Sequence, residues 1–242
     1  MSLALEEVAV SIGGRPLVKN VSLVLHAGEV VGLLGPNGAG KTTTFNLVTG
    51  LLRPDTGVVR LDGEEVQHLP MPQRARLGIG YLPQEASVFR QLSVRDNLLL
   101  ALQQSGTPSS GRRARLNDLI EEFHLGPFQH RLGYQLSGGE RRRCEVARAL
   151  AVGLKGPRYL LLDEPFAGVD PLAVADLQEL IGRLRERGMG LLITDHNVRE
   201  TLSITDRAYI LTEGQLLASG PSAVVAADPM VKLHYLGERF EL

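Results

Sequence analysis

Gly35-Pro36-Asn37-Gly38-Ala39-Gly40-Lys41-Thr42 decides the reading of this chain. The octapeptide fits G-x-x-x-x-G-K-[ST], a loop whose backbone N–H groups cradle the phosphates of a nucleoside triphosphate. Its three glycines permit the tight bend that brings those groups close to an anion. Lys41 has the reach to contact the β and γ phosphates, and the Thr42 hydroxyl can ligate Mg2+. The surroundings agree. Glu29-Val30-Val31-Gly32-Leu33-Leu34 reads as a buried strand entering the loop, and residues 43–48 read as a helix leaving it. The positive end of that helix then faces the phosphates.

Working outward, 242 residues with 43% hydrophobic content allow one large domain or two small lobes. The 26 basic and 27 acidic residues leave a net charge of −1, which gives no electrostatic case for a nucleic-acid partner. Local arginine clusters (Arg74 and Arg76, Arg112 and Arg113, Arg141 to Arg143) read as solvated faces. The single cysteine, Cys144, excludes an intrachain disulfide and suits a reducing cytosol. No apolar run approaches the 18 or so residues that read as a spanning helix. Glu6 and Glu7 stand where a signal peptide needs bases, so the expected location is the cytoplasm.

Strand composition recurs at Val8-Ala9-Val10 and Val21-Ser22-Leu23-Val24-Leu25, with Gly13 and Gly14 breaking the chain between them. Val58 to Leu61 and Ile79 to Leu82 read as further strands. After Gln84 the character changes. Residues 94–103 are helical in composition, Ser105 to Gly111 reads as a loop, and Leu116, Leu119, Ile120 and Phe123 fall on one helix face. Ser137-Gly138-Gly139 precedes another helix, with Cys144, Ala147, Ala151 and Leu154 on one side and Arg141, Glu145 and Arg148 on another. Strands return at residues 159–162 and 191–194, and Glu213-Gly214 marks a hairpin. The expected organisation is an α/β portion, an all-helical insert of residues 86–157, and a second α/β portion.

Four groups carry candidate chemistry. Leu160-Leu161-Leu162-Asp163-Glu164 is an apolar strand ending in two acids. Asp163 can hold a magnesium shell, and Glu164, projecting the other way, can orient or deprotonate a water. Leu136-Ser137-Gly138-Gly139-Glu140 offers a hydroxyl and open backbone N–H groups to an anion at a helix start; its bland reading is a plain N-cap. Gln84 follows a strand, within reach of a metal or water. His196 follows another, where it can donate to a γ phosphate.

The order of these pieces, with Ala167-Gly168-Val169-Asp170 between the acids and His196, resembles the nucleotide-binding subunit of ABC transporters across nearly the whole chain. The resemblance implies that Gly35 to Thr43, ending in Thr42-Thr43, form the Walker A segment, Gln84 the Q-loop and Ser137 to Glu140 the signature. Asp163 becomes the Walker B acid, Glu164 the catalytic base, Asp170 the D-loop acid and His196 the switch histidine. The implied fold is a P-loop NTPase: a RecA-like α/β core with an antiparallel β subdomain (1–85 and 158–242) and an inserted helical subdomain (86–157), together one ATPase domain. The implied ligands are ATP and Mg2+. The implied assembly is a homodimer, two copies head to tail around two ATPs, serving separate integral membrane subunits. That places the chain peripherally on the cytoplasmic face of the inner membrane.

A narrower resemblance rests on Gly78 to Phe89, Leu136 to Ala151, Asp163 to Pro171, Thr194 to Thr201 and Tyr235 to Phe240. These are similar to the ATPase subunits of lipopolysaccharide-export transporters, which couple ATP hydrolysis to extraction of lipopolysaccharide from the inner membrane toward the outer. A branched-chain amino-acid importer subunit and a soluble assembly ATPase are the alternatives. The family position for an aromatic that stacks on adenine holds Ile12 here. Phe89, five residues after Gln84, falls where the family places a groove for a membrane-subunit helix; an ordinary core Phe is its other reading.

Overall fold

The computed structural model describes residues 1–168, 170–237 and 240, with 171–173 described by backbone alone. Val169, Glu238 and Arg239, which carry part of the resemblance, lie outside the described residues.

Period-two alternation builds the N-terminal hairpin of β1 (Ser2–Ile12) and β2 (Arg15–His26), closed by Gly13 and Gly14 at φ of 58° and 77°. The chain then enters β3 (Val30–Leu34), the phosphate loop and α1 (Lys41–Thr49). β4 (Thr56–Leu61), β5 (Glu64–Glu65), α2 (Met71–Arg76) and β6 (Ile79–Leu82) follow. Helices α3 (Val94–Gln104), α4 (Ser109–Glu122) and α5 (Gly138–Ala149) come next. β7 (Tyr159–Asp163), α6 (Pro171–Glu186), β8 (Gly190–Thr194), α7 (Val198–Ile204), β9 (Arg207–Thr212), β10 (Gln215–Pro221) and α8 (Ser222–Ala227) return to the α/β layer.

Two sheets result. One is antiparallel, in the order β2-β1-β4-β5; the other runs β10-β9-β3-β8-β7-β6 and is parallel except for β10. β3, β7 and β8 are buried along their whole length, which explains their near-continuous apolar sequences. Alternate residues serve different cores. Leu161 and Leu192 join Phe45 and Leu47 of α1 and the β1–β2 hairpin. Leu160, Leu162, Leu191 and Ile193 join Leu98, Leu119 and Val146 of the helices between β6 and β7. The fold is thus a mixed α/β P-loop architecture, with the ends of β3, β6, β7 and β8 brought to one edge.

Three sequence expectations change. α4 begins at Ser109, inside the expected 105–111 loop, with Pro108 preset as its extended N-cap residue. α5 stops at Ala149, so Leu154 is no part of its buried face; it lies half-exposed against Gly111. The arginine clusters are not uniformly solvated. Arg74 is buried and donates to the carbonyls of Leu47, Val48 and Leu69, where a cation complements the negative end of α1. Arg142 is buried as well.

Candidate active site

β3 delivers the chain to Gly35 in a conformation only glycine tolerates. Its φ is 150°, and a Cβ there would stand 2.0 Å from the Leu211 carbonyl oxygen. Gly40, at φ 103°, would place a Cβ 2.7 Å from the Leu17 oxygen. The loop therefore packs its backbone directly against β2 and β9, and turns Pro36, Asn37 and Gly38 outward while burying Ala39. Inside the curl, the Lys41 ammonium donates to the Gly35 oxygen at 2.8 Å and the Pro36 oxygen at 3.0 Å. Burial lowers its pKa, and the charges of Glu164 and Asp163 oppose that shift. Gly40 caps α1 without a side chain, so the first N–H groups of the helix meet no protein side-chain acceptor. Thr42 is exposed at that end and Thr43 half-exposed.

β7 ends on Asp163, buried beneath the loop. Tyr81 donates its hydroxyl to Oδ2 at 3.4 Å, while Oδ1 is buried without a partner. Burial, then the neighbouring Glu164 charge, lifts this carboxyl to about 6. A buried carboxylate oxygen with no protein donor, together with the exposed Thr42 hydroxyl in the first turn of α1, is a hard-oxygen donor set suited to Mg2+.

Glu164 occupies a left-handed backbone conformation, φ 49°, which a non-glycine residue adopts at a cost of about 1–3 kcal/mol. Two bonds hold it there: its N–H donates to the Thr194 oxygen at 2.7 Å, and its carbonyl accepts from Arg142 at 2.8 Å. Its carboxylate accepts from Gln84 Nε2 at 2.8 Å on Oε2 and lies 2.7 Å from His196 Nε2 through Oε1. Gln84, Glu164 and His196 leave the C-terminal ends of three adjacent strands, the edge where open α/β sheets bind ligands.

Ser137 to Glu140 stand apart from that cluster. Ser137 caps α5: its Oγ accepts from the Glu140 N–H at 3.3 Å, and the Glu140 carboxylate accepts from the Ser137 N–H at 2.9 Å. Glu140 also pairs with Arg131 at 3.1 Å. Ser137 and Gly138 are exposed, and with Gly139, Gly168 and Asp170 they line a cleft of about 640 Å³ that contains no phosphate-loop residue. Ile12 ends β1, 49% exposed. Phe89 is 50% exposed with the Arg148 guanidinium 5.0 Å over its ring, which overturns its reading as a core residue. Beside it, Tyr81, Ser87, Ala101, Glu145 and Arg148 line a groove of about 240 Å³ where β6 meets the helices.

Sequence reasoning missed two residues that wire α5 to the acids. Arg142 donates to the carbonyls of Glu164 and Pro165, at 2.8 and 3.1 Å, and pairs with Glu145 at 3.4 Å. Glu145 accepts from the Ser87 N–H at 2.8 Å, three residues beyond Gln84. The available signal was the i, i+3 spacing of Arg142 and Glu145 around buried Cys144.

A phosphate loop beside a buried acid, with a carboxylate clasped by Gln84 and His196, defines a P-loop ATPase. The ABC transporter family profile matches residues 18–167, and the chain belongs to that family as an ATP-binding subunit. It is 53% identical over 242 residues, 99% of each chain, to the lipopolysaccharide export system ATP-binding protein LptB of Haemophilus influenzae. Among solved structures, it matches the ADP conformation of MJ1267, an ATP-binding cassette of an ABC transporter. The TM-score there is 0.86 at 27% identity, over 98% of this chain and 100% of that one. It also matches a dimeric post-hydrolysis cassette, MJ0796, bound to ADP and Pi, with TM-score 0.79 at 25% identity over 91% and 98% of the two chains.

Proposed function

We propose that this chain is the ATP-hydrolysing motor of a lipopolysaccharide-export ABC transporter. The single observation that carries the substrate is the full-length 53% identity to a lipopolysaccharide export system ATP-binding protein. In this reading residues 35–43 hold the ATP phosphates, with Lys41 giving up its two carbonyl contacts for the β and γ oxygens. Thr42, Asp163 and Gln84 would hold Mg2+, which would supply charge neutralisation at the phosphates. Glu164 accepts a proton from the attacking water, while Gln84 and His196 fix the carboxylate's orientation from either side. Ile12, exposed at the end of β1, would pack on the adenine.

The chain acts as a head-to-tail homodimer, in which Ser137, Gly138 and Gly139, with Glu140 and the Asp170 loop, close on the partner's ATP. The exposure of Ser137 and Gly138, in a cleft separate from the chain's own phosphate loop, supports this, as does the dimeric relative bound to ADP and Pi. Residues 86–157 then work as a lobe that carries the signature, against a core of 1–85 and 158–242.

Among the described residues no helix is long and apolar enough to cross a membrane. In this reading separate integral membrane subunits form the path, with this chain peripheral on the cytoplasmic face of the inner membrane and no nucleic-acid partner. The groove beside Phe89 is the docking surface for them. The test is purification of the tagged chain from detergent-solubilised membranes, with its integral partners identified, followed by ATP-dependent lipopolysaccharide release from proteoliposomes holding the complex. An amino-acid permease as the partner, or no membrane partner at all, contradicts the proposal.

A further inference from the structure

Strand register pairs two residues that each bury an oxygen without a partner. Asp163 of β7 and Thr194 of β8 are register partners in a parallel pair. The residues are 1% and 0% exposed, and neither Asp163 Oδ1 nor Thr194 Oγ1 has a hydrogen-bond partner. Register partners on neighbouring strands project to one face of a sheet. Leu161 and Leu192, two residues earlier on each strand, share the core with Phe45 and Leu47 of α1. Asp163 and Thr194 therefore face the helix that opens with Lys41 and Thr42. Sheet order sets β8 between β7 and β3, the strand that runs into the phosphate loop.

Packing gives no reason for threonine at this position. A buried hydroxyl left without a partner costs about 1–3 kcal/mol, and valine fills nearly the same volume. The neighbouring interior positions of β8 are apolar: Leu191, Leu192 and Ile193. A buried hydroxyl and an equally unpartnered carboxylate oxygen on the neighbouring strand have their use when something polar arrives between the loop and the sheet. Mg2+ retains several of its waters when bound to nucleotide, and those waters need oxygen acceptors.

We infer that Thr194 is a further positioning residue of this site: its hydroxyl and Asp163 Oδ1 together receive the hydration shell of the nucleotide-bound divalent cation. This rests on the magnesium reading above, and the experiment separates the two. ATP dissociation constants are measured in EDTA and in saturating Mg2+, on the full chain in a Glu164→Gln background so that nucleotide is not consumed. Thr194→Val and Thr194→Ser are compared with the Thr194 parent, together with their melting temperatures.

Thr194→Val should melt at or above the parent, having lost only an unsatisfied hydroxyl. Its gain in ATP affinity on adding Mg2+ should nevertheless shrink by about tenfold, the effect of one hydrogen bond within a charged assembly. Thr194→Ser should melt lower, through its missing methyl, yet keep most of the Mg2+ gain. Opposite rank orders in stability and metal coupling are what a purely structural threonine does not produce. A Thr194→Val chain with the parent's Mg2+ gain overturns the inference. So does Thr194→Ser losing as much as Thr194→Val, or Thr194→Val failing to fold, since the hydroxyl would then hold a structural bond. A parent whose ATP affinity ignores Mg2+ sinks the magnesium reading itself, and this inference with it.

Discussion

Replacing Asp163 by Asn should stabilise the nucleotide-free chain while abolishing its ATPase activity. The carboxyl is lifted from 3.8 to about 6, by burial first and the Glu164 charge second, against smaller opposing effects of the Tyr81 hydroxyl, Lys41 and Arg142. About two pKa units at about 1.4 kcal/mol each amount to about 3 kcal/mol. Because the folded pKa is raised, the folded chain binds this proton more tightly than the unfolded chain. Stability from this group is therefore greatest below pH 4, falls as pH rises toward 6, and stays low above it. Asn has no such dependence. Its amide oxygen can accept from Tyr81. Urea unfolding of both proteins in EDTA, from pH 4 to pH 8, gives the difference directly, since the other titrating groups are common to both. The variant should be more stable by up to about 3 kcal/mol at pH 8, with the gap closing toward pH 4. A variant less stable than the parent at pH 8, or a gap indifferent to pH, refutes the account of Asp163 as a charge held in the interior for a cation.

Ser137→Arg should abolish ATPase activity and leave ATP binding by the isolated chain intact, because Ser137 lines a cleft apart from the chain's own phosphate loop. Loss of monomer ATP binding in a nucleotide titration contradicts that. Phe89→Ala should weaken assembly with the membrane subunits by pull-down while changing melting by no more than a degree or two, since the ring is half-exposed. A fall of several degrees, with assembly tracking only that fall, contradicts the docking role. Ile12→Tyr should tighten ATP binding several-fold and sharpen discrimination against GTP with the maximal rate unchanged, from a stacking gain at the low end of about 1–3 kcal/mol. Equal affinity in both proteins means that another side chain already covers the adenine.

The phosphate loop, β7 with the acid that ends it, and the hairpins were legible because each is local: glycine spacing, an apolar run, a two-residue turn. What stayed hidden depends on tertiary context. Glu164 is read from sequence as the alternate face of a strand, yet the strand ends at Asp163 and a left-handed residue begins the turn. Arg142 looks like one of three solvated arginines, and only the fold supplies the carbonyls of Glu164 and Pro165 that its guanidinium satisfies. Arg74 likewise needs the C-terminal end of α1 brought 26 residues back along the chain to Val48. Thr194 carries no sequence signal for this role, since a threonine ending an apolar strand is ordinary until register pairs it with Asp163.

The central claim is that Glu164, clasped by Gln84 and His196, is the base for ATP hydrolysis. Single-turnover hydrolysis and size-exclusion chromatography of Glu164→Gln with ATP and Mg2+ test it most directly. The amide keeps the shape and can still accept from Gln84, but cannot take a proton. ATP should bind with near parental affinity, hydrolysis should fall by about 10²–10³ or more, and an ATP-bound dimer should accumulate. Hydrolysis within a few-fold of the parental rate contradicts the claim.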